Sequence, residues 1–126
     1  MPNPVTHFEV SGRDGKLLQD FYSKVFSWEI KADNAMNYGM LGPQDGQGIG
    51  GGIYGGPGEE GGQGVTFYVE VPSLEDTLKK IELAGGKTLM PPADVPGGPR
   101  IAQFTDPEGH MIGLAQAGTM QGAAPS

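Results

Sequence analysis

Apolar and polar residues alternate along Val5-Thr6-His7-Phe8-Glu9-Val10, and β-branched and aromatic residues fill both sets, so this segment reads as a strand. The period then changes. From about Asp14 onward, Leu17, Leu18, Phe21, Tyr22, Val25 and Phe26 recur at spacings of three and four, which predicts an amphipathic helix capped by Asp14 with that stripe turned to the core. Trp28-Glu29-Ile30 predicts the start of another strand, and short extended runs follow at Asn37 to Leu41 and Gly48 to Tyr54. The same order recurs downstream. Val65 to Val71 reads as a strand, and Ser73 caps a helix carrying Leu74, Leu78, Ile81 and Ala84, with Gly85-Gly86 at its end. Strands at Lys87 to Met90, Arg100 to Thr105 and His110 to Gln116 complete the half. Pro91-Pro92 through Pro99 predicts a stiff loop, Asp106-Pro107-Glu108-Gly109 a type I turn, and residues 117–126 a flexible tail.

An offset of 61 places Glu9 on Glu70 and Val10 on Val71, and the pattern of strand, helix and three strands occurs twice. Two copies at this period point to an internal duplication rather than an open array. The expected fold is therefore α+β: one domain with a core over about 5–116, built from two βαβββ modules at about 5–56 and 65–116. Strand parity divides the side chains. His7 and Glu9 share one face of the first strand and Tyr68 and Glu70 one face of the fifth, while Thr6, Phe8 and Val10, and Phe67, Val69 and Val71, take the opposite faces. The apolar sets belong under the helix stripes, as do Ile112 and Leu114 of the last strand. His7, Glu9, Tyr68 and Glu70 are thus expected on the concave faces, and His110 pointing away from them or lying at the turn.

Composition narrows the chemistry. The 126 residues carry a net charge of −7, which disfavours nucleic acid and anionic membrane surfaces, since both are bound through an excess of Lys and Arg. No run approaches the roughly 18 apolar residues that span a bilayer, and Met1-Pro2-Asn3-Pro4 lacks the features of a signal peptide, so a cytoplasmic protein is expected. With no cysteine, disulfides, thiol nucleophiles and thiolate metal sites are excluded. Twelve of the 23 glycines fall between Gly42 and Gly64. That segment lacks the Gly-Lys-Ser/Thr of a phosphate loop, so Gly48 to Tyr54 reads as a strand whose missing side chains widen a cavity or let another backbone come close, and Gly55 to Gly64 as a mobile connector between modules.

Four segments together resemble the vicinal oxygen chelate superfamily of glyoxalase I, bleomycin-resistance proteins and extradiol dioxygenases: Val5 to Val10, Phe21 to Glu29, Thr66 to Val71, and Phe104 to Leu114. The resemblance implies paired βαβββ modules with curved mixed sheets enclosing a cleft, and assembly as a homodimer. In metal-dependent members, ligands come from the first and last strands of each module. His7 matches the first such position, but Tyr68 stands where a His would be expected, Gly113 where a Glu would be, and Gly50 to Tyr54 offers only Gly, Ile and Tyr. No metal ligand set and no cofactor are expected. A small-molecule-binding protein of the bleomycin-resistance type is the favoured reading, with His7, Glu9, Tyr68, Glu70 and Gly113 as pocket candidates and a small organic molecule as partner. A lyase, isomerase or dioxygenase using a divalent metal near His7 is the alternative, and an interaction module with a vestigial cleft is the third.

Overall fold

Asp14 caps the first helix with extended backbone, and its carboxylate accepts the Leu17 N–H at 3.0 Å, answering one of the donors a helix leaves open at its start. In this computed structural model, which describes residues 2–34, 37–55 and 64–120, the helix runs Gly15–Phe26 (α1). It follows strand β1 (Val5–Gly12) and precedes β2 (Gly39–Leu41) and β3 (Gly50–Gly55). Thr6–Thr66 forms one compact unit, with sheet order β2-β3-β1, β3 lying antiparallel to β2 and parallel to β1.

Two expectations for this unit need correction. The strand expected from Trp28 does not form, and Lys31 alone pairs, exchanging both backbone hydrogen bonds with Met40 at 2.9 and 2.8 Å. The cause is local. Ser27 closes α1 in the left-handed conformation (φ 59°), the Trp28 ring stacks on Tyr22 of the helix at 5.8 Å, and its carbonyl accepts from Ser23 Oγ at 2.8 Å. Only one side of the apolar stripe of α1 packs: Leu18 and Tyr22 are half-buried, and the rest is turned outward. Leu17, Phe21 and Val25 are 64%, 55% and 54% exposed, whereas Gln19 is 7% exposed. A buried amide is tolerated there because Gln19 Nε2 donates to the Ile53 carbonyl at 2.7 Å and the Asn37 carbonyl at 3.0 Å. Gly15 brings the first turn so close to the backbone of Gly55 that a Cβ would collide with it.

Met1–Val5 with Phe67–Ser126 forms the second unit. It holds β4 (Gly64–Val71) from Phe67 onward, α2 (Leu74–Leu83), β5 (Lys87–Asp94), β6 (Arg100–Thr105) and β7 (Met111–Gln116), the expected strand, helix and three strands. The order is β4-β7-β6-β5, with β4 parallel to β7 and the other pairs antiparallel. Both units are thus mixed sheets with one helix each, as the α+β reading requires. Ser73 caps α2 by accepting the Asp76 N–H at 3.1 Å, and the chain leaves the helix through Gly85 at φ 104°. Val71, Leu74, Leu78, Ala102 and Leu114 form the buried core beneath it, with Val69, Ile81 and Phe104 packed around them.

Here too the sequence pattern misplaces an element. Pro91 and Pro92 lie inside β5, not in a loop. From Met90↔Gln103 to Ala93↔Ile101, three steps on β5 oppose two on β6, so the prolines occupy a bulge in the outermost strand of this unit, where an absent N–H leaves no ladder bond unmade. The turn forms as read, with Gly109 N–H donating to the Asp106 carbonyl at 2.9 Å, and β7 starts at Met111, leaving His110 on the turn with Nδ1 2.9 Å from Asp106. Order also continues beyond Gln116. Ala117 N–H donates to Val71 O at 2.9 Å, and Thr119 Oγ1 accepts the Arg100 N–H at 2.9 Å. Residues 121–126 of the expected tail and 56–63 of the expected connector lie outside the described residues. No helix among the described residues is long and apolar enough to cross a membrane.

Candidate functional site

The parallel register of β1 and β3 sets His7 beside Gly50, Phe8 beside Gly51 and Glu9 beside Gly52. A strand of glycines leaves space above and below it, and rings from other segments fill that space. Phe8 covers Gly51 on the face of the aromatic cluster that includes Trp28, 5.9 Å away, while the Tyr38 ring covers Gly52. His7 and Glu9 therefore lie on the side of the sheet away from that cluster, as their parity predicts, and Tyr38 joins them there.

Tyr38 connects the two. Its hydroxyl donates to Glu9 Oε2 at 2.9 Å and lies 2.9 Å from His7 Nε2, with the two rings stacked at 10° and 6.5 Å. Because the phenol has one proton and gives it to Glu9, the contact with His7 is completed by the imidazole tautomer carrying its proton on Nε2. The second phenol, Tyr54, packs at 5.2 Å from Tyr38 and is hydrogen-bonded to Ser11 and Glu9. Tyr38 is itself held in place. The Asn34 side chain accepts its N–H at 2.9 Å and donates to its carbonyl at 2.8 Å, and the buried Gln19 of α1 holds the preceding carbonyl, that of Asn37.

The electrostatics follow from burial and from Glu9. Burial holds the His7 imidazole below its ordinary 6.5, so it is neutral near pH 7. Burial first, then the negative charge of Glu9, raises the Tyr54 phenol, and the hydrogen bond from Ser11 opposes this. One consequence can be measured. The unfolded chain binds the His7 proton at a higher pH than the folded chain does, so this residue's contribution to stability is complete above 6.5 and is lost as pH falls from there through the lower folded value. Urea unfolding midpoints taken from about pH 7.5 to about pH 5 should decline for the wild-type chain, and the decline should shrink in His7→Gln. Equal slopes in the two proteins would refute it.

The other candidates lie in the second unit. Tyr68 is 6% exposed and pairs in register with Gly113, and its ring lies across Gly113 where a side chain would otherwise stand. Glu70 is half-buried on β4 and its N–H donates to the Pro4 carbonyl at 2.8 Å. His7 and Glu9 are thus joined through Tyr38, and Tyr68 and Gly113 are in direct contact. Tyr38 and Tyr54 escaped the sequence reading as site residues. The signal for them was the Gly50-Gly51-Gly52 run, which needs large side chains from neighbouring segments to fill its faces.

A family model described as the Glyoxalase/Bleomycin resistance protein/Dioxygenase superfamily matches residues 5–114. Anthracycline biosynthesis protein DnrV of Streptomyces peucetius is 38% identical over 58 residues, which is 46% of this chain and 21% of that protein. The matched region is thus about a fifth of the length of the curated relatives. Among solved structures, one from Legionella pneumophila described as an NAD-dependent benzaldehyde dehydrogenase has a TM-score of 0.66 at 14% identity, covering 91% of this chain and 98% of that one. A methylmalonyl-CoA epimerase variant of Streptomyces coelicolor, in complex with 2-nitronate-propionyl-CoA, has a TM-score of 0.63 at 15% identity, covering 91% and 97%. At these identities the structures speak for the fold alone. The family match over nearly the whole described core agrees with the repeated strand, helix and strand order, and the chain belongs to the glyoxalase/bleomycin resistance protein/dioxygenase superfamily.

Proposed function

We propose that this chain binds a small organic molecule on the face formed by His7, Glu9, Tyr38 and Tyr54, without a divalent metal, and that the preferred ligands are aromatic compounds carrying a cationic amine. The observation that carries this reading is the Glu9 carboxylate set among phenol donors and beside two tilted aromatic rings. Aromatic faces attract cations and pack on flat apolar ligands, and a carboxylate supplies the matching charge. The net charge of −7 favours approach of a cation. The likeness to a protein of anthracycline biosynthesis and to a structure holding a coenzyme A derivative supports a small organic ligand in general.

The donor chemistry supports the absence of a metal from this reading. A catalytic divalent ion takes three or more imidazole or carboxylate donors. This face supplies one imidazole, whose Nε2 is engaged with Tyr38, and one carboxylate engaged by phenols. At Gly113, where metal-dependent relatives are expected to place a Glu, the Tyr68 ring fills the space. Among the described residues no three His, Cys, Asp or Glu side chains gather as an ion site.

The test is a melting series with aromatic amines, their neutral analogues and divalent metals. A ligand at a hundred times its dissociation constant stabilises the folded state by about 2.7 kcal/mol, a shift of several degrees. An aromatic amine should give this shift, its neutral analogue a smaller one, and Glu9→Gln or Tyr38→Phe should reduce the amine's effect. Stoichiometric metal uptake abolished by His7→Ala would overturn the proposal.

A further inference from the structure

We propose that Gln19 is the positioning residue of the ligand face: through the Asn37 carbonyl its side-chain amide sets the Tyr38 ring over Gly52, which couples the bonded trio of His7, Tyr38 and Glu9 to the docking of α1 on the opposite side of the sheet. The Gln19 amide nitrogen has two protons and donates to Ile53 O at 2.7 Å and to Asn37 O at 3.0 Å. The two bonds have different consequences. The first pins α1 to β3. The second grips a residue in the left-handed conformation, Asn37 at φ 52°, one peptide before Tyr38. An L residue enters that region at a cost, so the bond to its carbonyl helps keep the backbone there.

Successive side chains of an extended segment point to opposite faces, and here the two faces are the helix side and the ligand side. A Cβ built on Gly39 would meet the Gln19 amide at 2.7 Å, whereas the Tyr38 ring, one residue earlier, covers Gly52 on the face of His7 and Glu9. The amide thus occupies the space that Gly39 leaves empty, and its grip on the helix side fixes where the neighbouring ring stands on the other. Asn34 completes the linkage. Its side chain bonds the Tyr38 N–H at 2.9 Å and the Tyr38 carbonyl at 2.8 Å, and its own carbonyl accepts the Asn37 N–H at 3.1 Å, so Asn34, Asn37 and Tyr38 shift together. Gln19 itself is 7% exposed on the helix side and acts on the ligand face through Tyr38. Its effect on affinity rests on the ligand reading above; its effect on the Tyr38 ring does not.

Gln19→Met keeps the length of the side chain and removes both donors. In the free protein it should abolish the nuclear Overhauser contacts between the His7 and Tyr38 rings while keeping the helical circular dichroism. Leu18→Ala, which trims the packing of α1 without touching the amide, should lower stability and leave those contacts in place. Conversely, Tyr38→Ala should speed solvent exchange of the Gln19 side-chain amide protons by about tenfold or more, a measurement that leaves residue 19 intact. Naphthylmethylamine is the probe for affinity. Gln19→Met should raise its dissociation constant about tenfold or more, but change it by less than about twofold in a Tyr38→Ala background. A wild-type chain that does not bind this amine would count against the proposed ligand, and the ring contacts and amide exchange would still decide the role of Gln19. Ring contacts that persist in Gln19→Met, amide exchange indifferent to Tyr38→Ala, or an equal loss of affinity in both backgrounds would each overturn the proposal.

Discussion

Leu74→Ala should lower the free energy of unfolding by about 2–5 kcal/mol. Leu74 opens α2 with no exposed surface and is enclosed by Val71, Leu78, Ala102 and Leu114. Truncation removes its transfer free energy and leaves a cavity that two strands and a helix cannot close without moving each other. A domain of this size is stable by only about 5–15 kcal/mol, so the loss is a large share of the whole. The helix cap is unaffected, because Ser73 still accepts from Asp76 and the Gln116 side chain still accepts the N–H of residue 74. Leu83→Ala, on the same helix but 89% exposed, should change stability by less than about 0.5 kcal/mol. Urea midpoints for the two variants give the comparison, and similar losses in both would contradict the assigned core.

Gly52→Ala should expel the Tyr38 ring and cost about 1–3 kcal/mol. A Cβ built on Gly52 falls inside the phenol of Tyr38, whose hydroxyl joins His7 to Glu9. The backbone of β3 is fixed by its pairing with β1 and β2, so the ring has to yield. The prediction has a sharper form as a double-mutant cycle. In a Tyr38→Ala background the new methyl has room, and Gly52→Ala should then be close to neutral, giving a coupling of about 1 kcal/mol or more. Additive losses would mean that the ring and the glycine do not contend for the same space. Ligand-induced stabilisation should also disappear in Gly52→Ala.

The second unit was the more legible in sequence because each of its signals has a local cause. Leu74, Leu78 and Ile81 mark the buried side of α2, Ser73 and Gly85-Gly86 mark its ends, and Leu114 alternates correctly into the core. Its one misplaced element was the end of β5, since proline disrupts a strand only where its N–H is needed, and at an edge bulge it is not. In the first unit apolar periodicity identified α1 but placed its buried side only in part, since Leu18 and Tyr22 pack while Leu17, Phe21 and Val25 do not. A polar residue, Gln19, was drawn inward by two backbone carbonyls more than fifteen residues away, which no local window can show. For the site, parity placed His7 and Glu9 together. Tyr38 was hidden because its contacts span 31 and 29 residues and depend on the emptiness of Gly52.

The consecutive prolines of β5 also bear on colloidal behaviour. An outermost strand is where one molecule can recruit an extended segment of another, each added layer templating the next. Here the rail lacks two successive amide protons and is offset by bulges on either side of Met90, so an incoming segment meets no continuous row of donors. The covalent structure itself thus disfavours fibril growth from this edge.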